Sequence, residues 1–214
     1  DALSPDRHGF GRYRGGQGVA VGFKPHRTDE FASTSVGMGE RFSMDFGLFG
    51  GYAGPTTHGF YVSDSDVEAA LEASSDRVPT DFEHLIDDQP LDGEYVTTSQ
   101  NRDLVEHSTS DVLVKWMSSG GGYGDVLERE AEAVQADLDQ GLISERTARE
   151  VYCTVVEDGA VQAKETRQLR EEVRENRLSE SQPFEQFESD WVERKPNEEL
   201  LRYYVEWPIP DAPE

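Results

Sequence analysis

The sequence predicts an α+β protein, with a β-rich part over residues 1–125 and a helical C-terminal region over residues 126–214. Two observations support this prediction. Most of the 20 glycines and many of the aromatic residues lie in the first part, in short apolar runs separated by turn residues. After residue 125 the apolar residues recur at spacings of three and four, which is the period of an α-helix. The helices are therefore expected to pack on the β-rich body.

Short strands are expected near the start of the chain. Residues 18–23 (GVAVGF) have strand composition and are followed by the breaker KPH at residues 24–26. Residues 31–38 and 41–46 are further strand candidates. Residues 47–54 (GLFGGYAG) are too rich in glycine for a stable helix and suit a turn in which backbone closely approaches backbone or a ligand.

The middle of the chain mixes both kinds of element. Residues 64–74 are predicted to form a short helix. Its inward-facing residues are expected to be Val67, Ala70 and Leu71. Residues 91–96 indicate a turn that leads into a strand, and residues 112–117 (VLVKWM) give the strongest strand signal because their apolar run is nearly unbroken.

Helical patterns begin after residue 125. Residues 128–140 carry apolar side chains at helical spacing, and Gly141 provides a C-terminal stop. Ser144 is a natural N-cap for a second helix. Residues 151–156 have strand character, and residues 158–159 (DG) predict a turn.

The end of the chain is predicted to hold two more helices and an aromatic tail. Residues 164–178 form a charged amphipathic pattern, and Pro183 can open a helix that runs through Trp191. Residues 200–208 (LLRYYVEWP) are apolar and aromatic beside an acidic chain. This tail is therefore expected to dock on protein rather than extend into solvent.

The charge of the chain excludes several classes of partner. Its 44 acidic and 20 basic residues give a net charge of -24, so nucleic acid and anionic membranes are not expected as partners. The acidic residues are scattered, and the basic residues comprise sixteen Arg and four Lys. This surface is typical of a halophilic protein, in which molar salt screens self-repulsion, and we favour it over intrinsic disorder. The chain is then expected to lose structure when salt is diluted.

The single cysteine and the absence of a long apolar run indicate a cytoplasmic protein. Cys153 can form no internal disulfide, and its strand-like surroundings, with no base beside it, predict a buried small hydrophobe. No apolar stretch approaches the ~18 residues that a membrane-spanning helix needs. The chain opens with Asp1 and not Met, and it is expected to be either a natural split subunit or a truncated fragment.

A glycine loop between the predicted strand and helix comprises Gly120, Gly121, Gly122, Tyr123, Gly124 and Asp125. In this context backbone amides can cradle an anion. The loop lacks the Lys-Ser/Thr pair of a P-loop and the spacing of a dinucleotide fingerprint. We therefore favour a structural role, in which the glycines permit tight packing beneath Tyr123.

Three residues are candidates for binding a substrate or an anion. Arg12 and Arg14 lie among five glycines at residues 9–18. Either could clamp a carboxylate or phosphate through its planar guanidinium, and an equally open alternative is that both pair with acidic residues of this chain. His58, in the glycine-flanked stretch 54–59, is the histidine best placed to be exposed. The histidines show no metal-binding spacing, so no metal site is expected, and no catalytic residue is assigned.

Taken together, the motifs resemble the C-terminal part of hydantoinase B/oxoprolinase subunits. The resemblance rests on residues 11–16 (GRYRGG), 120–129 (GGGYGDVLER), 134–138 (VQADL), 141–144 (GLIS) and 148–152 (AREVY). In the tail, FEQF at residues 184–187 and LRYY at residues 201–204 look more like the acetone and acetophenone carboxylase branch. Phe10 and Cys153 depart from the family pattern, at positions where proline and glycine respectively are common.

The resemblance implies a cytoplasmic, multi-subunit, ATP-dependent enzyme complex. A hydantoinase A-like partner subunit would use ATP to phosphorylate a carbonyl or enolate oxygen, or bicarbonate. The present chain and its N-terminal counterpart would then complete carboxylation of a ketone. The alternatives are an ATP-dependent hydantoinase or 5-oxoprolinase that hydrolyses a cyclic amide, and a non-catalytic assembly module. ATP and a divalent metal would belong to the parent complex and are not expected to be bound by this segment.

Overall fold

The structure is a computed structural model that describes residues 2–28, 31–34, 39, 42–79, 84–98 and 104–193. The chain forms two compact units, residues 1–170 and residues 171–214. The predicted α+β fold is confirmed, because strands dominate the first part of the chain and helices its C-terminal half.

Nine strands are present in the described part of the chain. They are β1 (Ala2–Leu3), β2 (Val19–Phe23), β3 (Phe31–Thr34), β4 (His58–Ser63), β5 (Glu94–Thr98), β6 (Leu104–His107), β7 (Val112–Trp116), β8 (Val156–Glu157) and β9 (Ala160–Val161). Five of them form an antiparallel sheet in the order β1-β2-β7-β4-β5. The apolar run 112–117 forms the predicted strand, β7, which is the central strand of this sheet.

The helices are α1 (Val67–Glu72), α2 (Ala131–Asp139), α3 (Glu145–Glu150), α4 (Ala163–Ser179) and α5 (Phe184–Glu193), with a π-helical turn at His84–Asp88 and a 3-10 turn at Val126–Glu128. The predicted caps are confirmed. The Ser144 hydroxyl accepts a hydrogen bond from the Thr147 amide at 3.1 Å, and Gly141 ends α2 with a φ of +66°.

One face of the five-stranded sheet carries the main hydrophobic core. Val62 and Val114 project from this face and pack with α1 and the π-helical turn, which contributes Leu85. The opposite face carries the two-stranded sheet β3-β6, since the Tyr61 and His107 rings lie 5.3 Å apart between centroids. The main sheet is therefore covered on both faces, by helical turns on one and strands on the other.

The second unit contains the end of α4 and all of α5. Pro183 directly precedes α5, as predicted for a residue that opens a helix. Within α5 the rings of Phe187 and Trp191 stack with centroids 5.9 Å apart.

Two sequence predictions about the N-terminal part are wrong. Residues 42–46 of the predicted strand 41–46 form no strand, because the peptide groups of this stretch approach the glycine-rich loops instead of pairing with a neighbouring strand. Leu71 was expected to face inward but is 47% exposed, since the six-residue α1 buries only Val67 and Ala70.

Residues 151–156 are not a strand either. Only Val156 joins a strand, and Cys153 lies in a left-handed conformation with a φ of +46° and is only partly buried. A backbone that turns at Cys153 cannot continue an extended ladder. The buried, strand-like position expected for this cysteine is therefore incorrect.

Other expectations extend beyond the described residues. Residues 35–38 of the predicted strand 31–38 and the aromatic tail at residues 200–208 lie outside them. Among the helices of the described part, none is both long and apolar enough to cross a bilayer.

Candidate functional site

Three glycine-rich segments, residues 9–16, 47–54 and 120–124, meet along their backbones in what we term the glycine junction. Tyr13 and Tyr123 form an antiparallel bridge in which each amide donates to the other carbonyl, at 2.9 and 2.8 Å. Residues far apart in the chain are thus joined through main-chain hydrogen bonds rather than through side chains.

The middle segment completes the junction from the other side of residue 123. Leu48 donates its amide to the Gly122 carbonyl and accepts from the Gly124 amide, both at 2.9 Å, and the Gly122 amide donates to the Tyr52 carbonyl at 2.8 Å. The amides of residues 122–124 are therefore committed to the protein's own carbonyls. They cannot at the same time cradle a phosphate or carboxylate.

The junction is too close-packed for side chains at several glycines. A Cβ on Gly122 would stand 1.9 Å from the Phe10 carbonyl oxygen, and a Cβ on Gly121 would stand 2.1 Å from the Phe46 carbonyl oxygen. Both distances are far below van der Waals contact. These positions require glycine because backbone occupies the space of a side chain.

Arg12 lies on the surface of the junction. Its guanidinium is 3.6 Å from the Glu128 carboxylate, and both side chains are about half exposed. It also lies 5.4 Å from the centre of the Tyr13 ring, which permits a cation–π contact. An exposed pair of this kind contributes little to stability, so the Arg12 guanidinium stays accessible to solvent and solutes.

Arg14 pairs with an acidic residue of this chain, one of the two alternatives that the sequence leaves open. Its Nε donates to Asp137 Oδ1 at 3.0 Å, and the Arg129 guanidinium donates to Asp137 Oδ2 at 2.6 Å. Asp137 is buried on α2, so one carboxylate ties the junction to the helical region. Binding of a ligand by Arg12 or Arg14 remains a prediction.

A buried histidine and a buried tyrosine flank this ion cluster. His8 is 1% exposed, its Nδ1 lies 2.8 Å from Gln17 Oε1, and burial lowers the pKa of its imidazole. The Tyr152 ring packs edge-on against Phe10, and burial raises the pKa of the Tyr152 hydroxyl to about 12. Both groups are therefore neutral near pH 7.

His58 lies elsewhere, at the wall of a cavity of about 490 Å³. Its Nε2 is 3.1 Å from the Thr56 hydroxyl, and its side chain is exposed, as the sequence predicts. Neither Arg12 nor Arg14 is among the described residues that line this cavity. Arg12 and Arg14 thus lie at the glycine junction, whereas His58 lies at the cavity.

Arg7 also lines the cavity and was missed by the sequence analysis. Its NH2 group donates to the Thr56 carbonyl at 2.6 Å, while its Nε is buried and has no hydrogen-bond partner among the described residues. Burial lowers the pKa of its guanidinium. The only sequence signal was its position two residues before the first glycine of the junction, which is too weak to identify a cavity residue.

A Ser–His–Asp arrangement occurs on the opposite face of the sheet. Ser33 Oγ is 2.8 Å from His107 Nε2, and His107 Nδ1 is 3.2 Å from Asp111 Oδ2. The Asp111 carboxylate also accepts the backbone amides of Asp64 and Ser108, at 3.1 and 3.3 Å. Since His107 is almost fully buried, we interpret the group as a tie between β3, β6 and the turn before β7 rather than as an open nucleophile site.

The described residues contain no group of three or more His, Cys, Asp or Glu side chains arranged to hold a metal ion.

The fold and the glycine junction can be assigned to one class of protein. The sequence profile described as hydantoinase B/oxoprolinase matches residues 1–126, which include the whole glycine junction. The chain belongs to the hydantoinase B/oxoprolinase family.

Curated relatives extend the similarity into the helical region. The chain is 32% identical over 206 residues to the acetophenone carboxylase delta subunit of Aromatoleum aromaticum, covering 95% of this chain and 30% of that subunit. It is 31% identical over 195 residues to the acetone carboxylase alpha subunit of Xanthobacter autotrophicus, covering 86% of this chain and 24% of that subunit. The chain thus spans less than a third of the length of these relatives.

Two solved structures are similar in fold. A nucleotide-free acetone carboxylase, described with a mechanism of ATP-dependent acetone carboxylation, superposes with a TM-score of 0.73 at 27% identity over 89% of this chain and 26% of that chain. An ATP-dependent caprolactamase from Pseudomonas jessenii gives a TM-score of 0.55 over 79% of this chain and 25% of that chain. At 22% identity the caprolactamase shows a shared fold alone.

Proposed function

We propose that this chain is part of a subunit of an ATP-dependent ketone carboxylase, with acetone or acetophenone as the type of substrate and bicarbonate as co-substrate. The observation that carries the proposal is the extent of the match to the acetophenone carboxylase delta subunit. It covers 95% of the chain and therefore includes most of residues 127–214, which lie beyond the family profile.

The division of labour within the proposed complex follows from what the described residues offer. The amides of residues 122–124 are engaged by backbone carbonyls, so these three amides offer no phosphate cradle. As the family resemblance implies, ATP would be bound and hydrolysed by a hydantoinase A-like partner. The present segment would supply walls and polar groups around the organic substrate, together with the N-terminal counterpart of the subunit.

Reconstitution tests this proposal. The chain would be co-expressed with a hydantoinase A-like ATP-binding subunit and an N-terminal counterpart, and purified in molar salt. We expect ATP-dependent incorporation of labelled bicarbonate into an acid-stable product with acetone or acetophenone. Ring opening of hydantoin or 5-oxoproline without bicarbonate would instead support the cyclic amidohydrolase alternative and contradict the carboxylase.

A second candidate function, a non-catalytic assembly module, is favoured by an aromatic surface. Tyr13, Leu48, Phe49 and Tyr123 are each about half exposed or more and lie together on the junction. Contiguous exposed apolar patches often mark protein contacts.

Two sets of variants separate assembly from substrate binding. If triple replacement of Arg12, Arg14 and His58 by Ala leaves turnover intact while deletion of residues 183–214 abolishes assembly, the module is supported. Loss of turnover in an intact complex after the triple replacement would support participation in the substrate site.

A further inference from the structure

We propose that the cavity lined by β4 and β7 binds an aryl β-keto carboxylate, that is, an aromatic ketone that already carries a carboxylate group. This inference rests on the proposed function, since such a compound is the product of carboxylating an aryl ketone. It deepens that function by naming the class of product and the residues that would recognise it.

The floor of the cavity follows from strand register. His58 on β4 is the cross-strand partner of Trp116 on β7, and Phe60 lies two residues further along β4, so these side chains project from the same face. The rings of Phe60 and Trp116 lie 5.4 Å apart with planes inclined by 30°. The two aromatic rings therefore lie next to each other on this face of the sheet.

Two further elements complete the walls. Tyr95 on β5 and Ile86 on the π-helical turn also line the cavity, and both are partly buried. π-helical turns are rare and are often found at functional sites. A cavity of about 490 Å³ with mostly apolar walls and few polar groups has the size and character of a small-molecule site.

Arg7 gives this apolar cavity an anion-binding group. The chain has 44 acidic residues, yet no acidic side chain of the described residues forms an ion pair with Arg7. One of its nitrogens donates a hydrogen bond to the Thr56 carbonyl, which helps to orient the guanidinium. A guanidinium without a carboxylate partner is suited to bind a carboxylate supplied by a ligand.

His58 adds a second polar group at the same wall. Its ring is held by the Thr56 hydroxyl at 3.1 Å, so Thr56 positions both the histidine, through its side chain, and Arg7, through its carbonyl. A ligand whose ring packs on Phe60 and Trp116 would place its polar end toward these two residues. Flat aromatic surfaces favour an aryl group over a methyl group, because an aryl ring buries more apolar area against them.

Titration calorimetry of the full chain in molar KCl tests the proposal. The probes are 3-oxo-3-phenylpropanoate, 3-oxobutanoate, which lacks the aryl ring, and acetophenone, which lacks the carboxylate. We expect the aryl keto acid to bind most tightly. Arg7→Met should weaken its binding about tenfold or more while leaving acetophenone binding unchanged, because only the charge-assisted hydrogen bonds are lost.

Two further variants control for folding and for general charge. Arg7→Lys keeps the charge but not the planar fork and should give an intermediate affinity. Arg146→Met removes an arginine that is highly exposed and paired with Glu150, and should leave binding unchanged. Circular dichroism of each variant verifies that the fold is retained.

The proposal is overturned if the unsubstituted chain binds none of the probes, if 3-oxobutanoate binds as tightly as the aryl compound, or if Arg7→Met and Arg146→Met behave alike. These outcomes are distinct from failure of the proposed function. A reconstituted complex that carboxylates ketones although Arg7→Met has no effect on binding would retain the function and refute the site. Arg7-dependent binding in a complex that does not carboxylate ketones would support the site and refute the proposed function.

Discussion

Cys153 occupies a backbone conformation that disfavours a side chain. Its φ of +46° lies in the left-handed region, which costs a non-glycine residue about 1–2 kcal/mol. Glycine adopts this left-handed conformation without the steric cost that a Cβ brings. Cys153 therefore carries local backbone strain.

Cys153→Gly is expected to raise the free energy of unfolding by about 0.5–1 kcal/mol, because relief of strain exceeds the added flexibility of the unfolded chain. Denaturant unfolding in molar KCl measures the change. Cys153→Ala removes the thiol but keeps the Cβ, so it should show no comparable gain. Equal stability of the glycine and alanine variants would contradict the role of strain.

His8 is expected to make the protein less stable at acidic pH. Burial lowers the pKa of His8 in the folded state below its unfolded value near 6.5, so the unfolded chain binds more protons in this range. The contribution of His8 is therefore complete above about pH 6.5 and is lost as the pH falls toward the lowered pKa.

Measuring the free energy of unfolding of the unsubstituted chain and of His8→Gln between pH 7.5 and 5 tests this predicted loss of stability at acidic pH. The variant should lose less stability on acidification than the unsubstituted chain, even if it is less stable at pH 7.5. A steeper acid dependence in the variant would show that His8 is not the group responsible.

At the scale of elements, the glycine junction makes a sharp prediction for two glycines in its neighbourhood. A Cβ on Gly122 would overlap the Phe10 carbonyl, whereas a Cβ on Gly16 would meet nothing within 4 Å. Gly122→Ala is expected to destabilise the fold by about 3 kcal/mol or more, because the junction must open to admit a methyl group.

Gly16→Ala is the matched control and should be neutral or stabilise the fold by up to about 1 kcal/mol. Thermal unfolding of both variants in molar salt measures the difference. If the two substitutions cost the same, the close approach of the three segments is not important for stability.

The elements predicted best from the sequence are those whose own residues indicate the structure, without contacts from distant parts of the chain. The central strand β7 has a nearly unbroken apolar run, and α3 has a serine cap, so local chemistry identified both. The strand predicted at residues 41–46 failed because its neighbours are glycine-rich loops distant in sequence.

The candidate site was less predictable than the fold for the same reason. Arg12, Arg14 and His58 stand out in the sequence because glycines surround them, but spacing does not indicate that His58 lies at a different wall from the arginines. Arg7 and Trp116 come together only through strand pairing and loop packing. Which residues share a cavity is a property of tertiary structure.

At the scale of the whole molecule, the net charge of -24 sets the conditions under which the fold is stable. The ion pairs shown in the described part, such as Arg146 with Glu150, lie mostly on the surface and offset only a little of this repulsion. We therefore expect the chain to lose secondary structure when KCl is diluted from molar to about 0.1 M. At the lower concentration the Debye length is roughly 10 Å, so like charges repel each other over a longer distance.

Circular dichroism during salt dilution measures this loss, and isosmotic sucrose serves as the control because it adds no counter-ions. Structure that persists unchanged at about 0.1 M salt would exclude halophilic adaptation as the reason for the acidic composition.

The glycine junction also has a consequence for how quickly this molecule reaches its native state. Its bridges join Tyr13 and Leu48 to Tyr123, so the first unit has contacts of high sequence separation at its centre. Such topology slows folding, because a long loop must close before any of these contacts contributes. On the ribosome, the early segments must wait for residues 120–124 to emerge, with their apolar residues exposed meanwhile.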